Sequence, residues 1–222
     1  NADFDKYADI TRRFIQICKS YTFICEVFSL DECFLDLTET EKFFGGVLNI
    51  AFDIKRRLRE EVGDHMSCSI GISHNKLLAK LGSKQIKLDG LFLITEANTY
   101  EVLDKSDLTD VCGLGYGLSR HLAVLGINSF QQLRSKTMTF LADNFGPFWS
   151  VHLYNICRGI DNSPVADCVN LPDAKSVGRT YTTHRNLYNR EEIMRLCRNL
   201  CEEAAAKART MNLAGRYVGL CF

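Results

Sequence analysis

Two neighbouring acids, Asp31 and Glu32, are the residues of this sequence best suited to chemistry. They lie in the stretch Glu26 to Thr38 and interrupt two apolar runs, Val27-Phe28 before and Phe34-Leu35 with Leu37 after. Adjacent carboxylates repel each other, and a fold tolerates them most easily where a cation neutralises both. A hard divalent ion with oxygen ligands, magnesium (Mg²⁺) in a phosphoryl-transfer site, is the natural candidate. A polar hairpin tip with two solvated acids is the competing reading of the pair taken alone.

A second constellation follows. Asn75 is placed to cap a helix predicted to run to about Lys87, on which Lys76, Lys80, Lys84 and Lys87 share one face. Leu77, Leu78 and Leu81 are expected to face the core. The basic stripe is either a solvated face or a holder for a nucleotide triphosphate. Further on, Gly113-Leu114-Gly115-Tyr116-Gly117, with Arg120 and Leu125-Gly126-Ile127, fits two short helices joined by a Gly-x-Gly hairpin. Without Cβ atoms there, a phosphate could approach backbone N–H groups at the start of the second helix. Such a contact ignores base sequence. A glycine-rich helix connection without ligand is the alternative.

The elements that must position these groups follow from periodicity. Tyr7, Ile10, Phe14 and Ile17 predict an amphipathic helix over residues 4–20, leading into a strand that ends at Asp31. A second strand follows the acids. From Phe43 to Val62 a long apolar stripe predicts a helix on one face of a sheet, with Lys55, Arg56, Arg57 and Arg59 mostly off the stripe. Residues 67–73 alternate with period two and read as a strand, and Leu91 to Ile94 reads as a short edge strand. The order α, β, β, α, β fits an open sheet with helices on one face, an α+β class. Helices are predicted at 96–104, 137–145 and 147–158, the last two starting at Thr137 and Pro147. Residues 159–174 have linker composition. The last segment reads as a strand over Lys175–Thr183, a helix of about twenty residues from Arg190, and a strand from Arg216 to Phe222.

Composition narrows the classes. Hydrophobic content of 46% and charged content of 24% are ordinary for a globular protein, and no apolar run approaches the roughly 20 residues that span a bilayer. The ten cysteines are scattered with no Cys-x-x-Cys pair, which argues against a zinc site. Most lie in apolar runs (Cys18, Cys25, Cys68, Cys157, Cys197), as buried reduced thiols of an intracellular protein would. The net charge is zero, but residues 171–222 hold nine Lys/Arg and five Asp/Glu, a net of +4 against −4 for the rest. A basic tail behind an acid-bearing front is compatible with DNA gripped at one end and metal bound at the other. The chain does not begin with Met and has no signal-peptide pattern, so a trimmed or incomplete sequence is expected.

With these residues in hand, the chain resembles the Y-family DNA polymerases, the translesion class of the DinB/UmuC and Rev-one-like enzymes. Ser29-Leu30-Asp31-Glu32-Cys33-Phe34-Leu35-Asp36 is similar to the palm motif S-x-D-E-x-x-L-D. Ser69-Ile70-Gly71-Ile72, Asn75-Lys76-Leu77-Leu78-Ala79-Lys80 and Lys87-Leu88-Asp89-Gly90 are similar to G-I-x-x-N-K-x-x-A-K…K-P-x-G, with Leu88 where the family usually has proline. The Gly113-Leu114-Gly115 hairpin and Lys175-Ser176-Val177-Gly178-Arg179, like the opening of a little finger, complete the match in order.

The resemblance implies a palm over 1–104, a thumb with a helix-hairpin-helix over 105–160, a linker over 161–174 and a partial little finger over 175–222. It implies that Asp31 and Glu32 are catalytic carboxylates of a two-metal Mg²⁺ site, with Mn²⁺ able to substitute, and that Lys87 touches the incoming triphosphate. Gly113, Gly115, Gly117, Arg120, Ser176, Gly178 and Arg179 are implied DNA contacts, and Asp36 a structural strand residue. Partners would be primer–template DNA, the incoming dNTP and a sliding clamp reached through a segment not present. The compartment would be a nucleus or a bacterial cytoplasm. The family's first palm strand, with its further aspartate, and its fingers do not precede Asn1. These 222 residues alone are therefore expected to bind primer–template weakly and polymerise negligibly. A non-catalytic DNA-binding remnant of such a polymerase is the alternative. A nucleotide cyclase on a palm fold is disfavoured, having no duplex to hold.

Overall fold

In the computed structural model, residues 4–166 and 175–221 are described. The chain forms two units, residues 1–170 and 171–222.

The first unit starts with helix α1 (Phe4–Lys19), followed by strands β1 (Cys25–Val27) and β2 (Cys33–Leu35). These strands pair antiparallel in the register Cys25↔Leu35, Glu26↔Phe34, Val27↔Cys33. A 3-10 turn (Glu41–Phe44) leads to helix α2 (Val47–Arg57), whose last turn widens into a π-turn over Leu58–Val62. Gly45 and Gly46, at φ 75° and 103°, make the break between turn and helix, in a region of backbone space where a Cβ is strained. Strand β3 (Ile70–Ile72), helix α3 (Lys76–Gln85) and strand β4 (Leu91–Leu93) then form a β-α-β unit, with β3 and β4 parallel. The strands pair as two separate two-stranded ribbons, β1–β2 and β3–β4.

Contact between α3 and β3 is close enough to need glycine. A Cβ on Gly71 would lie 1.9 Å from the Ala79 carbonyl oxygen and 2.4 Å from the Ser83 nitrogen. The helix backbone therefore rests directly on the strand, and this fixes the height of the lysine-bearing face above the sheet. Helix α4 (Thr99–Lys105) and a 3-10 turn (Leu108–Asp110) lead into four thumb elements: α5 (Tyr116–Val124), α6 (Phe130–Arg134) and the two halves of α7 (Met138–Ile156). Gly146 (φ 76°) breaks α7 and Pro147 restarts it, in agreement with the two helices predicted there.

Two apolar cores hold this unit. The smaller packs Ile17, Tyr21, Ile50, Ile54 and Leu58 between α1 and α2. The larger runs from Leu77, Leu78 and Leu81 of α3 through Leu103 to Leu122, Phe130, Leu133 and Leu153 of the thumb. Helix α3 is thus rooted by its leucines in the thumb core, which leaves its lysine side free to face the β1–β2 hairpin.

Several expectations need correction. The strand predicted over 67–73 is three residues long, and α3 ends at Gln85 rather than Lys87. The chain there turns through Leu88 (φ 62°) and Asp89 (φ 77°), which no helix continues and which a proline at 88 could not adopt. Lys55 does not lie off the apolar stripe. It is 7% exposed, and its ammonium donates to the Cys68 carbonyl (2.6 Å), the Asp89 carbonyl (2.8 Å) and Asp89 Oδ1 (2.8 Å). All three donors are used, so burial leaves no polar hydrogen orphaned. Among the predicted buried thiols, Cys18, Cys25 and Cys157 are buried, while Cys68 and Cys197 are only half-buried.

The second unit contains helix α8 (Arg190–Thr210), capped by Asn189, whose side chain accepts from the Glu191 N–H at 2.8 Å. Neither segment predicted as a strand, 175–183 or 216–221, is one; Phe222 lies outside the described residues. A strand needs a hydrogen-bonding neighbour and a covered face. Here Ile193, Leu196 and Leu200 are the less exposed side of a helix that buries none of its residues.

Candidate functional site

Asp31 and Glu32 stand at the tip of the β1–β2 hairpin. The Glu32 carbonyl accepts from the N–H groups of Phe28 (2.9 Å) and Ser29 (3.1 Å), closing the loop. The Ser29 hydroxyl donates to Asp31 Oδ1 at 2.6 Å and lies 3.5 Å from Glu32 Oε2. One small side chain thus gathers both carboxylates to the same side of the tip. Thr11 of α1 donates its hydroxyl to the Leu30 carbonyl and ties the tip to the helix behind it.

Helix α3 presents its lysines to this hairpin. Lys80 forms an ion pair with Glu32, and its ammonium lies 5.3 Å from the centre of the Phe28 ring. One turn earlier Lys76 pairs with Glu26 at 2.6 Å and lies 5.3 Å from the Phe34 ring. Lys76 and Glu26 are 17% and 18% exposed, so that pair is shielded from the screening that weakens surface pairs. Lys80 is 15% exposed but its partner Glu32 is 41% exposed, so water screens the second pair on the acid side. For Glu26, burial raises the carboxyl pKa, but the Ala166 N–H (2.7 Å) and Lys76 outweigh it and hold the group below its ordinary value.

The remaining stripe residues behave differently. Lys84 donates to the Asp110 carbonyl, at the entry to the thumb. Lys87 is exposed in the left-handed turn after α3 and has no ion pair among the described residues. Its position depends on Asp89, whose carboxyl pKa is lowered first by the hydrogen bond from Lys55, then by the charges of Lys55 and Arg59. Asp36 accepts from the Thr38 N–H (3.0 Å) and hydroxyl (2.6 Å), which together lower its pKa, and it faces its own turn rather than the acid pair.

Residues 159–166, of linker composition, are partly strapped over the start of α3. The Asn75 amide donates to the Gly159 carbonyl (2.8 Å), Asp161 accepts from the Leu77 N–H (3.1 Å), and Lys76 reaches the Pro164 carbonyl (3.3 Å). A cavity of about 360 Å³ lies beside this strap, bordered by His74, Tyr100 and Arg158; neither Asp31 nor Glu32 lines it. Neither strap nor cavity was legible in the sequence, because both join residues more than 80 positions apart.

In the thumb, the hairpin turn lies between the 3-10 turn and α5. Gly113 adopts φ 96°, and a Cβ there would meet His152 Nε2 at 2.7 Å. Space around Gly115 and Gly117 is open. Arg120 is exposed on α5, with no ion pair among the described residues. In the second unit Ser176 and Gly178 are exposed, and Arg179 pairs with Glu203 at 2.6 Å.

The donor set suits a hard divalent cation. Mg²⁺ commonly takes one or two carboxylates and fills its shell with water and phosphate oxygens. Asp31 and Glu32, gathered by Ser29, fit that requirement. Among the described residues no third His, Cys, Asp or Glu joins them in a cluster.

Comparison with known proteins bears on the family of the chain. Residues 1–84 match the impB/mucB/samB family, 109–161 the DNA polymerase-iota thumb domain, and 174–221 the impB/mucB/samB family C-terminal domain. The chain is 34% identical over 216 residues to DNA polymerase IV of Desulfatibacillum aliphaticivorans, covering 97% of this chain and 53% of that protein. It is 34% identical over 220 residues to DNA polymerase IV of Clostridioides difficile, covering 98% and 58%. Among solved structures, a Y-family DNA polymerase chimera of Dbh and Dpo4 superposes with a TM-score of 0.74 at 25% identity, over 92% of this chain and 58% of the other. The chain belongs to the Y family of DNA polymerases. It spans little more than half the length of the curated relatives it matches. No helix among the described residues is long and apolar enough to cross a membrane.

Proposed function

We propose that this chain is the palm, thumb and part of the little finger of a DNA-directed DNA polymerase that carries out template-dependent nucleotidyl transfer in translesion synthesis and repair inside the cell. The divisions are those drawn from the sequence: palm 1–104, thumb 105–160, linker 161–174 and little finger from 175. The observation that carries the reading is the Lys80–Glu32 pair. It turns the acid-bearing hairpin and the lysine face of α3 toward each other, so anionic phosphates and the cations that accompany them would meet there.

Asp31 and Glu32 would hold divalent metal. Bound there, Mg²⁺ would supply neutralisation of the triphosphate and a lowered pKa for the primer 3′-hydroxyl. The protein's own residues do the rest. Ser29 keeps the two carboxylates together, and Lys80 offsets their repulsion while the site is empty of substrate. Lys87, held out on the Asp89 turn, would reach the triphosphate. The open backbone at Gly113, Gly115 and Gly117, with Arg120, would hold primer–template by its phosphates, as would Ser176, Gly178 and Arg179.

The test is primer extension with Mg²⁺ by a form of the protein that contains this chain and supports synthesis. Glu32→Ala and Asp31→Ala should each lower extension by about a hundredfold or more, since several kcal/mol of charge stabilisation depends on these groups. Primer–template binding should persist. A variant that extends at the parent rate would overturn the metal assignment. If every form that contains this chain binds primer–template and none extends it, the non-catalytic reading is favoured.

A further inference from the structure

The restarted half of α7 carries an aromatic cluster that the reading above leaves unused. Pro147 places Phe148 and Trp149 in the first turn after the break, where they are 73% and 39% exposed. The rings of Phe148 and His152 stack, 6.2 Å between centres and 12° between planes. Trp149 packs edge-on to both, at 5.4 Å and 5.3 Å. Leu153 and Ile156, on the buried side of the same helix, fix it in the thumb core. Three mutually packed rings held on a rooted helix form a rigid patch, unlike a single exposed side chain.

This patch is continuous with the glycine turn. His152 Nε2 lies so close to Gly113 that a Cβ would come within 2.7 Å of it. Backbone donors of a glycine hairpin and exposed aromatic faces therefore share one surface. That pairing is the one used to bind single strands, with phosphates on the donors and bases on the rings, and it tolerates any base because every base has a π-face. We propose that Phe148, Trp149 and His152 form a stacking surface for an unpaired base of the DNA strand whose phosphates lie on the Gly113–Gly115 turn. The proposal rests on the DNA-binding reading of that turn and adds to it a contact with the base.

Trp149 is the only tryptophan of the chain, so its emission reports this surface directly. The 222-residue chain would be titrated at low salt with oligothymidine, and with an abasic oligonucleotide of equal length that keeps the phosphates and lacks the bases. Labelled strands read by anisotropy give binding; unlabelled strands read by Trp149 emission give stacking. Oligothymidine should quench Trp149, and the abasic strand should bind without quenching. Phe148→Ala should lower affinity for oligothymidine roughly 5- to 100-fold and leave the abasic strand unaffected. Because Phe148 is mostly exposed, that variant should keep the parent circular dichroism, which would be checked.

Binding with no quenching and no Phe148→Ala effect would overturn the proposal and leave the phosphate reading intact. Failure of both strands to bind would overturn both. Emission that changes with protein concentration but not with DNA would identify a second copy of the chain as the occupant and overturn the proposal as well.

Discussion

Replacing Asp89 by Asn isolates the charge that anchors the Lys87 turn. Asparagine keeps the size of the side chain and tolerates the left-handed backbone that Asp89 adopts at φ 77°. What it removes is, among the described residues, the only carboxylate paired with the Lys55 ammonium, 2.8 Å away, which is 7% exposed. Stripping the partner from a buried ion pair costs about 3–5 kcal/mol. Two carbonyls continue to accept from Lys55, and the Asp89 side chain is 28% exposed, so water screens part of the loss. A cost of about 2 kcal/mol follows. The assay is urea unfolding followed by Trp149 emission, since Trp149 and Lys55 share the first unit. A double-mutant cycle with Lys55→Met would give a coupling energy of about 1–2 kcal/mol. The pH dependence has a definite sign. Asp89 has a depressed carboxyl pKa in the folded chain, so its contribution is present above the ordinary carboxylate value of about 4 and is lost as pH falls through the folded value. The stability gap between parent and Asp89→Asn should therefore be full at neutral pH and close in acid. A coupling energy below about 0.5 kcal/mol, or a gap that does not close, would refute the anchoring argument.

Two further substitutions test how α3 is held. Gly71→Ala should destabilise the first unit by about 3 kcal/mol in the same urea assay, because its methyl group would meet helix backbone at 1.9 Å and 2.4 Å and backbone cannot step aside cheaply. Asn75→Ala should cost about 1–2 kcal/mol, losing both the cap on the Leu78 N–H (2.9 Å) and the tie to the Gly159 carbonyl (2.8 Å). Asn75→Asp, which keeps the cap and loses the tie, should cost less than half as much.

What the sequence made legible was local. The apolar periods of residues 4–20 and of the twenty or so from Arg190 placed two helices. The stripe from Phe43 to Val62 found a third whose regular part is shorter, Val47–Arg57, and Pro147 marked the restart of α7. Leu77, Leu78 and Leu81 were read as core and are buried. The acid pair was placed at a turn between strands, where the hairpin puts it. The misreadings share a cause: each depended on a partner distant in sequence. Lys55 looked like a surface cation because its acceptors lie 13 and 34 residues away. Residues 175–183 are β-branched and polar, as an edge strand can be, yet composition does not supply the neighbouring strand that would pair with them.

The end of α3 shows how such a distant partner reaches into the candidate site. Periodicity alone extends the lysine stripe through Lys87, because nothing between Lys84 and Lys87 breaks a helix. Asp89 alters that outcome. Its carboxylate is drawn to Lys55 and Arg59, its carbonyl accepts from the same Lys55, and the chain must turn left-handed at Leu88 and Asp89 to deliver both groups. Helix α3 stops at Gln85 in consequence, and Lys87 is presented on a turn instead of a helical face. The lysines therefore divide their work. Lys76 and Lys80, on the rigid helix, hold Glu26 and Glu32 in place. Lys87, on a turn tethered by a buried ion pair, keeps its ammonium exposed and able to meet an anion that arrives from solution.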